Sequence, residues 1–273
     1  MSECNNNCAS CGENCSERTA PQSFRKEHHP DAVVRRVYGV VSGKGGVGKS
    51  MVTSQLAVLL RRQGYTVGIM DADVTGPSIP QAFGIHEKAL GTENALLPCT
   101  SAGGVQVMSI NVLLDDETDP VIWRGPVIGG VVQQFWTDVI WDVDFLLVDM
   151  PPGTGDVSLN VFQQLPLDGI IVVTSPQDLV GMVVEKAVKM AEKMNVPIVG
   201  LVENMSYVAC PDCGKKIYLF GEGKTEAAAK RHGLPVLAHM PIDPALARLV
   251  DEGRIEQMES DTLTPVVEVL LSK

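Results

Sequence analysis

From Val33 onward, short runs of consecutive apolar residues, most of them closed by a polar residue, alternate with stretches in which apolar residues return every three or four positions. The runs predict strands over 37–41, 67–70, 105–110, 145–148, 170–174, 197–202 and 236–240. The periodic stretches predict helices. Residues 51–62 place Val52, Leu56, Leu59 and Leu60 on one face, and 178–194 do the same with Val180, Val183, Val184, Ala187, Val188 and Ala191. Further helices are expected over 225–232, with Thr225 as N-cap and Gly233 as the stop, and over 245–250 and 262–271.

A strand apolar at every position is buried on both faces, which calls for a parallel sheet with helices above and below it. The expected fold class is therefore α/β, a mostly parallel sheet covered on both sides. In such sheets ligands gather at the carboxyl ends of the strands. Asp71, Asp149, Ser175 and Asn204 follow strand runs and fall at those ends. Residues 1–30 differ: Cys, Asn, Ser, Glu and His dominate there, which predicts a tail that is flexible unless a metal orders it. Residues 31–273 read as one domain with no internal repeat. His28 and His29 are expected to be solvated.

Between the first strand and the first helix stands Gly43-Lys44-Gly45-Gly46-Val47-Gly48-Lys49-Ser50, which fits the P-loop pattern G-x-x-x-x-G-K-[ST]. Glycines let the backbone turn its N–H groups around a phosphate. Lys49 can reach the β- and γ-phosphates, Ser50 can bind Mg²⁺, and the helix start adds partial positive charge. The alternative, a glycine-rich turn with no ligand, leaves the strand–loop–helix context unexplained.

Three further strand ends carry candidate chemistry. In Asp71-Ala72-Asp73, an acidic residue can position water or support a metal's water shell, or merely cap the strand. Asp149 closes an apolar strand in a Walker B arrangement and is expected to meet Mg²⁺. The loop after it, Met150-Pro151-Pro152-Gly153-Thr154-Gly155-Asp156, is either a switch that moves when a γ-phosphate leaves or a rigid turn. The Asn204 amide both donates and accepts, which suits an adenine edge.

Cysteine usage adds a second theme. Of seven cysteines, Cys99 stands alone and reads as a structural thiol. The odd total argues against a disulfide framework. Cys210-Pro211-Asp212-Cys213 supplies half of a four-ligand metal shell, or a redox pair, or neither. A symmetric dimer would complete the shell on its two-fold axis. Cys4, Cys8, Cys11 and Cys15 place four thiols within twelve residues, enough for a Zn²⁺ or an Fe–S cluster. A formal net charge of −11 disfavours nucleic acid as a partner. No apolar run approaches the roughly 20 residues of a membrane span, and the N-terminal segment has no apolar signal region. The expected location is the cytoplasm, with no membrane partner.

The loop with its second lysine, Lys44, resembles the deviant Walker A of the SIMIBI class of P-loop proteins, which includes MinD and ParA. Within that class the chain is similar to the Mrp/ApbC family of Fe–S cluster carrier ATPases across residues 33–265. Besides the loop, the resemblance rests on Asp71-Ala72-Asp73-Val74-Thr75-Gly76-Pro77-Ser78, Trp123-Arg124-Gly125-Pro126, the 149–156 segment, Ser175-Pro176-Gln177-Asp178, Glu203-Asn204-Met205-Ser206-Tyr207 and the Cys210–Cys213 pair. It implies ATP, Mg²⁺ and a [4Fe–4S] cluster as cofactors, a homodimer, apo Fe–S client proteins and a cluster assembly scaffold as partners, and slow ATP hydrolysis. Gly43 through Ser50 and Met51 would hold the phosphates, and Lys44 would reach the partner subunit's nucleotide. Lys49 and Asp73 would act in hydrolysis, Asn204 with Pro241 and Asp243 would lie at the adenine, and Cys210 and Cys213 would bridge the cluster. Met51 departs from the threonine usual after the loop, removing one side-chain contact to phosphate while leaving the backbone N–H. The spacing of the tail cysteines also departs from that of the eukaryotic relatives. The alternatives are a spatial-regulation ATPase of the MinD or ParA kind, an electron-transfer reductase like the nitrogenase iron protein, and a zinc-binding regulatory ATPase. The short C-terminal segment, with its single terminal lysine, and the acidic charge speak against the first. The close Cys210–Cys213 spacing speaks against the second.

Overall fold

The computed structural model describes residues 25–272 except Thr75, Pro77, Glu93, 115–124, Thr154 and 178–179. The four tail cysteines, Trp123, Arg124 and Asp178 lie outside the described residues. The strands are β1 (Val33–Ser42), β2 (Val67–Asp71), β3 (Leu90–Gly91), β4 (Leu96–Leu97), β5 (Cys99–Thr100), β6 (Val105–Met108), β7 (Asp142–Asp149), β8 (Gly169–Thr174), β9 (Ile198–Ala209), β10 (Lys216–Ile217) and β11 (Val236–Pro241). The helices are α1 (Lys49–Arg62), α2 (Ile79–Ala82), α3 (Gly125–Thr137), α4 (Asp156–Gln164), α5 (Val180–Met194), α6 (Lys224–Arg231), α7 (Pro244–Asp251) and α8 (Thr264–Ser272).

Nine strands form one sheet in the order β10-β9-β8-β1-β7-β2-β6-β5, with β11 also on β9. The pairings through β6-β2-β7-β1-β8-β9-β11 are all parallel, and only the short β5 and β10 run antiparallel. Every residue of β2 and β8 is buried, so both sheet faces are covered, as the unbroken apolar runs required. Helix α1 packs on β1, β2 and β7, α8 lies against α1, β9 and β11, α5 packs on β8 and β1, and α3 pairs with α4.

Register then sets the site. Asp71 lies directly opposite Asp149 across the β2–β7 pair, and Val40 of β1 pairs with Asp149 from the other side. The loop leaving β1 therefore rises beside two carboxylates on adjacent strand ends.

Several elements differ from the sequence expectation, among them β6, which ends at Met108 rather than Ile110. Strand β9 does not stop near Val202 but runs to Ala209, carrying Asn204 inside it. Helix α6 is not capped by Thr225: Gly223, at φ 77°, turns the chain and α6 starts at Lys224, leaving Thr225 buried in its first turn. Helices α3 and α4 were unforeseen, because Gly and Pro crowd the segments where they begin. Near the amino end, the Lys26 N–H donates to the Gln164 carbonyl and the Trp136 indole donates to the Lys26 carbonyl, so the segment before β1 is tied to the domain. His28 is only half-buried but packs edge-on to Trp136.

Candidate functional site

Gly48 is the residue on which the phosphate loop depends. It precedes α1 at φ 80°, and a Cβ built there would stand 2.2 Å from the Asn204 amide nitrogen. At Gly45 and Gly46, in contrast, a Cβ would meet nothing within 4 Å, so the concave side of the loop is open. Helix α1 has no side-chain N-cap and no acidic residue in its first turn. Its first N–H groups and its positive dipole end thus face the loop with no side-chain cap among the described residues. An open glycine cradle ahead of an uncapped 14-residue helix fits a phosphate group. A Gly48→Ala substitution is expected to lower ADP affinity about tenfold or more, because it adds left-handed strain and displaces Asn204. Isothermal calorimetry reads the change directly.

Beneath the loop the polar side chains converge on Asp149. Lys49 Nζ lies 2.7 Å from Asp149 Oδ2, the Ser50 hydroxyl donates to the same oxygen at 2.6 Å, and the Thr53 hydroxyl donates to Oδ1 at 2.7 Å. Lys49 is also 3.8 Å from Asp73, which is half-buried. Ser50 and Asp149, a hydroxyl and a carboxylate sharing a contact, are oxygen ligands of the kind Mg²⁺ takes. Thr53 was not singled out in the sequence, yet it stands four residues after Lys49, on the same face of α1. Met51 sits in the first turn of α1, half-buried against the core.

Of Asp71 and Asp73, Asp71 is the deeply buried one. The Ser109 hydroxyl donates to its Oδ2 at 3.0 Å and the Asp73 N–H to its Oδ1 at 3.1 Å. Burial, reinforced by the charge of Asp149, pushes the Asp71 carboxyl up to about 8, although Lys49 pulls the other way. The folded state therefore keeps a proton on Asp71 that the unfolded chain releases near pH 4. Stability should fall as pH rises from about 4 to 8, by up to about 1.4 kcal/mol per pH unit from this group, and level off above. An Asp71→Asn variant keeps the shape without the charge. Its melting temperature relative to the parent should rise between pH 5 and pH 8, as thermal unfolding at the two pH values would show.

The remaining sequence-singled residues fall around this centre. Lys44 donates to the Gln177 amide oxygen of its own chain, on the exposed side of the loop. Asn204 is buried under the loop, its Nδ2 donating to the Val47 carbonyl at 2.9 Å. Asp243 caps α7, with Oδ1 accepting from the N–H groups of Ala245 and Leu246. Pro241 and Asp243 border a cavity of about 550 Å³ shared with α7 and the chain after it.

The cysteine pair stands apart from the loop but on the same strand as Asn204. Cys210 follows the end of β9, and a hairpin returns the chain through β10, closed by hydrogen bonds from Cys210 N–H to the Lys215 carbonyl and from Gly214 N–H to the Cys210 carbonyl. Backbone N–H groups of Asp212 and Cys213 point at the Cys210 sulfur and hold its thiol below the usual value. Cys213 is exposed, and Ile217, Leu219 and Phe220 just beyond it are exposed too. A hairpin that turns N–H groups toward an accessible thiol pair favours thiolate ligation. Among the described residues no three His, Cys, Asp or Glu side chains gather around a point that would hold a metal ion. Cys99 is buried, its thiol 3.5 Å from the Glu87 carbonyl, and burial raises its pKa.

A family model for the NUBPL iron-transfer P-loop NTPases, within the ParA group, matches residues 33–271. The chain belongs to that family. An iron-sulfur cluster carrier protein from Clostridium perfringens is 46% identical over 233 residues, covering 82% of each chain. The cytosolic Fe-S cluster assembly factor CFD1 of Kluyveromyces lactis is 40% identical over 228 residues, covering 80% of this chain and 81% of that one. Among solved structures, the nucleotide-binding protein of Archaeoglobus fulgidus in complex with ADP superposes with a TM-score of 0.76 at 43% identity, over 84% of this chain and 91% of that one. The cell division ATPase MinD of Pyrococcus furiosus shares the fold, with a TM-score of 0.60 at 23% identity over 87% of this chain and 98% of that one. Both the P-loop and the Cys210–Cys213 pair lie inside the matched span.

Proposed function

We propose that this iron-transfer P-loop NTPase is a cytoplasmic, homodimeric ATPase that binds a [4Fe–4S] cluster as cargo and passes it to apo-proteins. The observation that carries the reading is the accessible cysteine hairpin at the end of the strand whose Asn204 supports the phosphate loop. No helix among the described residues is long and apolar enough to cross a membrane.

In this reading the loop N–H groups and Lys49 bind the phosphates, and Lys49 opposes the charge that develops on them. Ser50 and Asp149 would hold Mg²⁺, which when bound supplies further neutralisation of that charge. Asp73, within reach of Lys49, orients the attacking water. Asp71, kept protonated by burial, lets three carboxyl groups share the site with only two negative charges near neutral pH. Asn204, with the cavity at Pro241 and Asp243, receives the adenosine end. Lys44 exchanges Gln177 for the nucleotide of the partner subunit. Cys210 and Cys213 of each subunit contribute two thiolates, so two subunits complete a four-thiolate shell on the two-fold axis. The exposed Ile217, Leu219 and Phe220 flank the hairpin where a client must approach. Cys4, Cys8, Cys11 and Cys15 provide a second metal or cluster site in the tail, loaded through an assembly scaffold.

The direct test is transfer. Protein loaded without oxygen and mixed with an apo-protein that needs a [4Fe–4S] cluster should restore that client's activity, faster with Mg-ATP than without. A loaded protein that keeps its iron in the presence of client and nucleotide contradicts the reading.

A further inference from the structure

We propose that residues 203–206 form a mechanical link through which nucleotide at the phosphate loop alters the cysteine hairpin, with Glu203 and Ser206 as positioning residues. The inference rests on the nucleotide half of the reading above and is independent of the cargo.

Strand β9 serves both sites. Asn204 touches the loop, and Cys210 lies six residues further on, about 20 Å along an extended strand. Between them the strand leaves its regular path. Met205 has φ 57°, one of two non-glycine residues with positive φ among those described. The pairing with β11 slips at the same place: His239 pairs with Glu203, whereas Pro241, two residues on, pairs with Tyr207, four residues on. The two surplus residues form a bulge.

Side chains pin that bulge to the loop. The Asn204 carboxamide spans the junction, its nitrogen donating to the Val47 carbonyl and its oxygen accepting from the Met205 N–H. Any shift of Val47 on phosphate binding therefore pulls on the residue at the apex of the bulge. Across the bulge, the Ser206 hydroxyl donates to Glu203 Oε1 at 2.5 Å, and His239 Nδ1 lies 3.3 Å from the same oxygen.

The surroundings offer this segment a second arrangement. Protein interiors are ordinarily close-packed and their buried polar atoms paired. Here Glu203 Oε2 is buried with no hydrogen-bond partner among the described residues. Glu203 and Ser206 border a cavity of about 110 Å³ whose other walls include Tyr207, Lys216 and Tyr218. Lys216 belongs to β10, the return strand of the hairpin, and its ammonium lies 4.3 Å from the centre of the Tyr207 ring. Free volume and an unpaired carboxylate oxygen are the two conditions for a segment to shift and gain a contact by doing so. The far wall of the cavity carries that shift to Cys210 and Cys213.

The experiment is alkylation of the full-length, metal-free protein by iodoacetamide, read by mass spectrometry on the peptide holding Cys210 and Cys213, with and without saturating Mg-ADP. In the parent protein, nucleotide should change that labelling rate about fivefold or more, a typical coupling between linked sites. In Ser206→Ala the change should shrink to within about twofold, while calorimetric ADP affinity stays within about threefold of the parent. Ser206→Thr keeps the hydroxyl, has the cavity to take its methyl group, and should restore the response. Cys99, buried, is the slow internal reference, and circular dichroism confirms that each variant is folded. An absent nucleotide effect in the parent, or an undiminished one in Ser206→Ala, overturns the link. Failure to bind ADP overturns it together with the nucleotide reading. A protein that shows the thiol response yet loads no iron and sulfide supports the link and contradicts cluster carriage.

Discussion

Lys49→Ala lowers ATP turnover by about 10²–10³-fold, the usual consequence of removing one preorganised group that meets developing charge. The effect is large because Lys49 is the cation placed on Asp149 and Asp73 together, and its side chain is only 6% exposed. Loss of the ammonium removes the positive charge from the phosphate site and also leaves the carboxylates facing one another. Breaking a buried ion pair of this kind costs about 3–5 kcal/mol. Asp149 still accepts from Ser50 and Thr53, which keeps the variant folded. Circular dichroism and a lowered melting temperature should accompany the lost turnover. A turnover within about threefold of the parent would remove Lys49 from the chemistry.

Joint replacement of Cys210 and Cys213 by serine is expected to abolish the proposed bridging site. Serine matches cysteine in size, but its hydroxyl is a hard, protonated ligand where Fe–S clusters take soft thiolates. The hairpin should survive, because its closing hydrogen bonds run through the backbone of Cys210, Gly214 and Lys215 rather than through sulfur. Nucleotide binding should also survive, since the P-loop and Asp149 are untouched. Iron and sulfide should fall by about four of each per two chains, and the absorbance of the cluster with them. Retention of the full complement would place the cargo elsewhere, in the tail.

The outline of this fold was legible wherever the information is local. A parallel strand buried on both faces writes itself as an unbroken apolar run, which is why β1, β2, β7, β8 and β11 lie close to where the pattern put them. The P-loop is likewise one contiguous segment, and Asp149 is marked by the run before it.

Long-range pairing hid the rest. Glu203, Asn204 and Ser206 look like the polar end of a strand, yet all three are buried: Ser206 donates to Glu203, while Asn204 and one oxygen of Glu203 meet partners at Val47 and His239. Neither partner is visible from a local window. Thr225 looks like a cap until Gly223 turns the chain two residues before it. Asp71 and Asp73 are indistinguishable by type and position. Only burial and the register opposite Asp149 make Asp71 the one that holds its proton, against the pull of Lys49 and the Ser109 hydroxyl.

The measurement that bears most directly on the account is iron and acid-labile sulfide per two chains, on protein reconstituted without oxygen, with the native mass of the same sample. A variant in which Cys4, Cys8, Cys11 and Cys15 are serine leaves Cys210, Cys213 and the buried Cys99 as its only thiols. The account predicts a dimer holding about four iron and about four sulfide. Zinc without sulfide, or a monomer carrying its own metal, contradicts it.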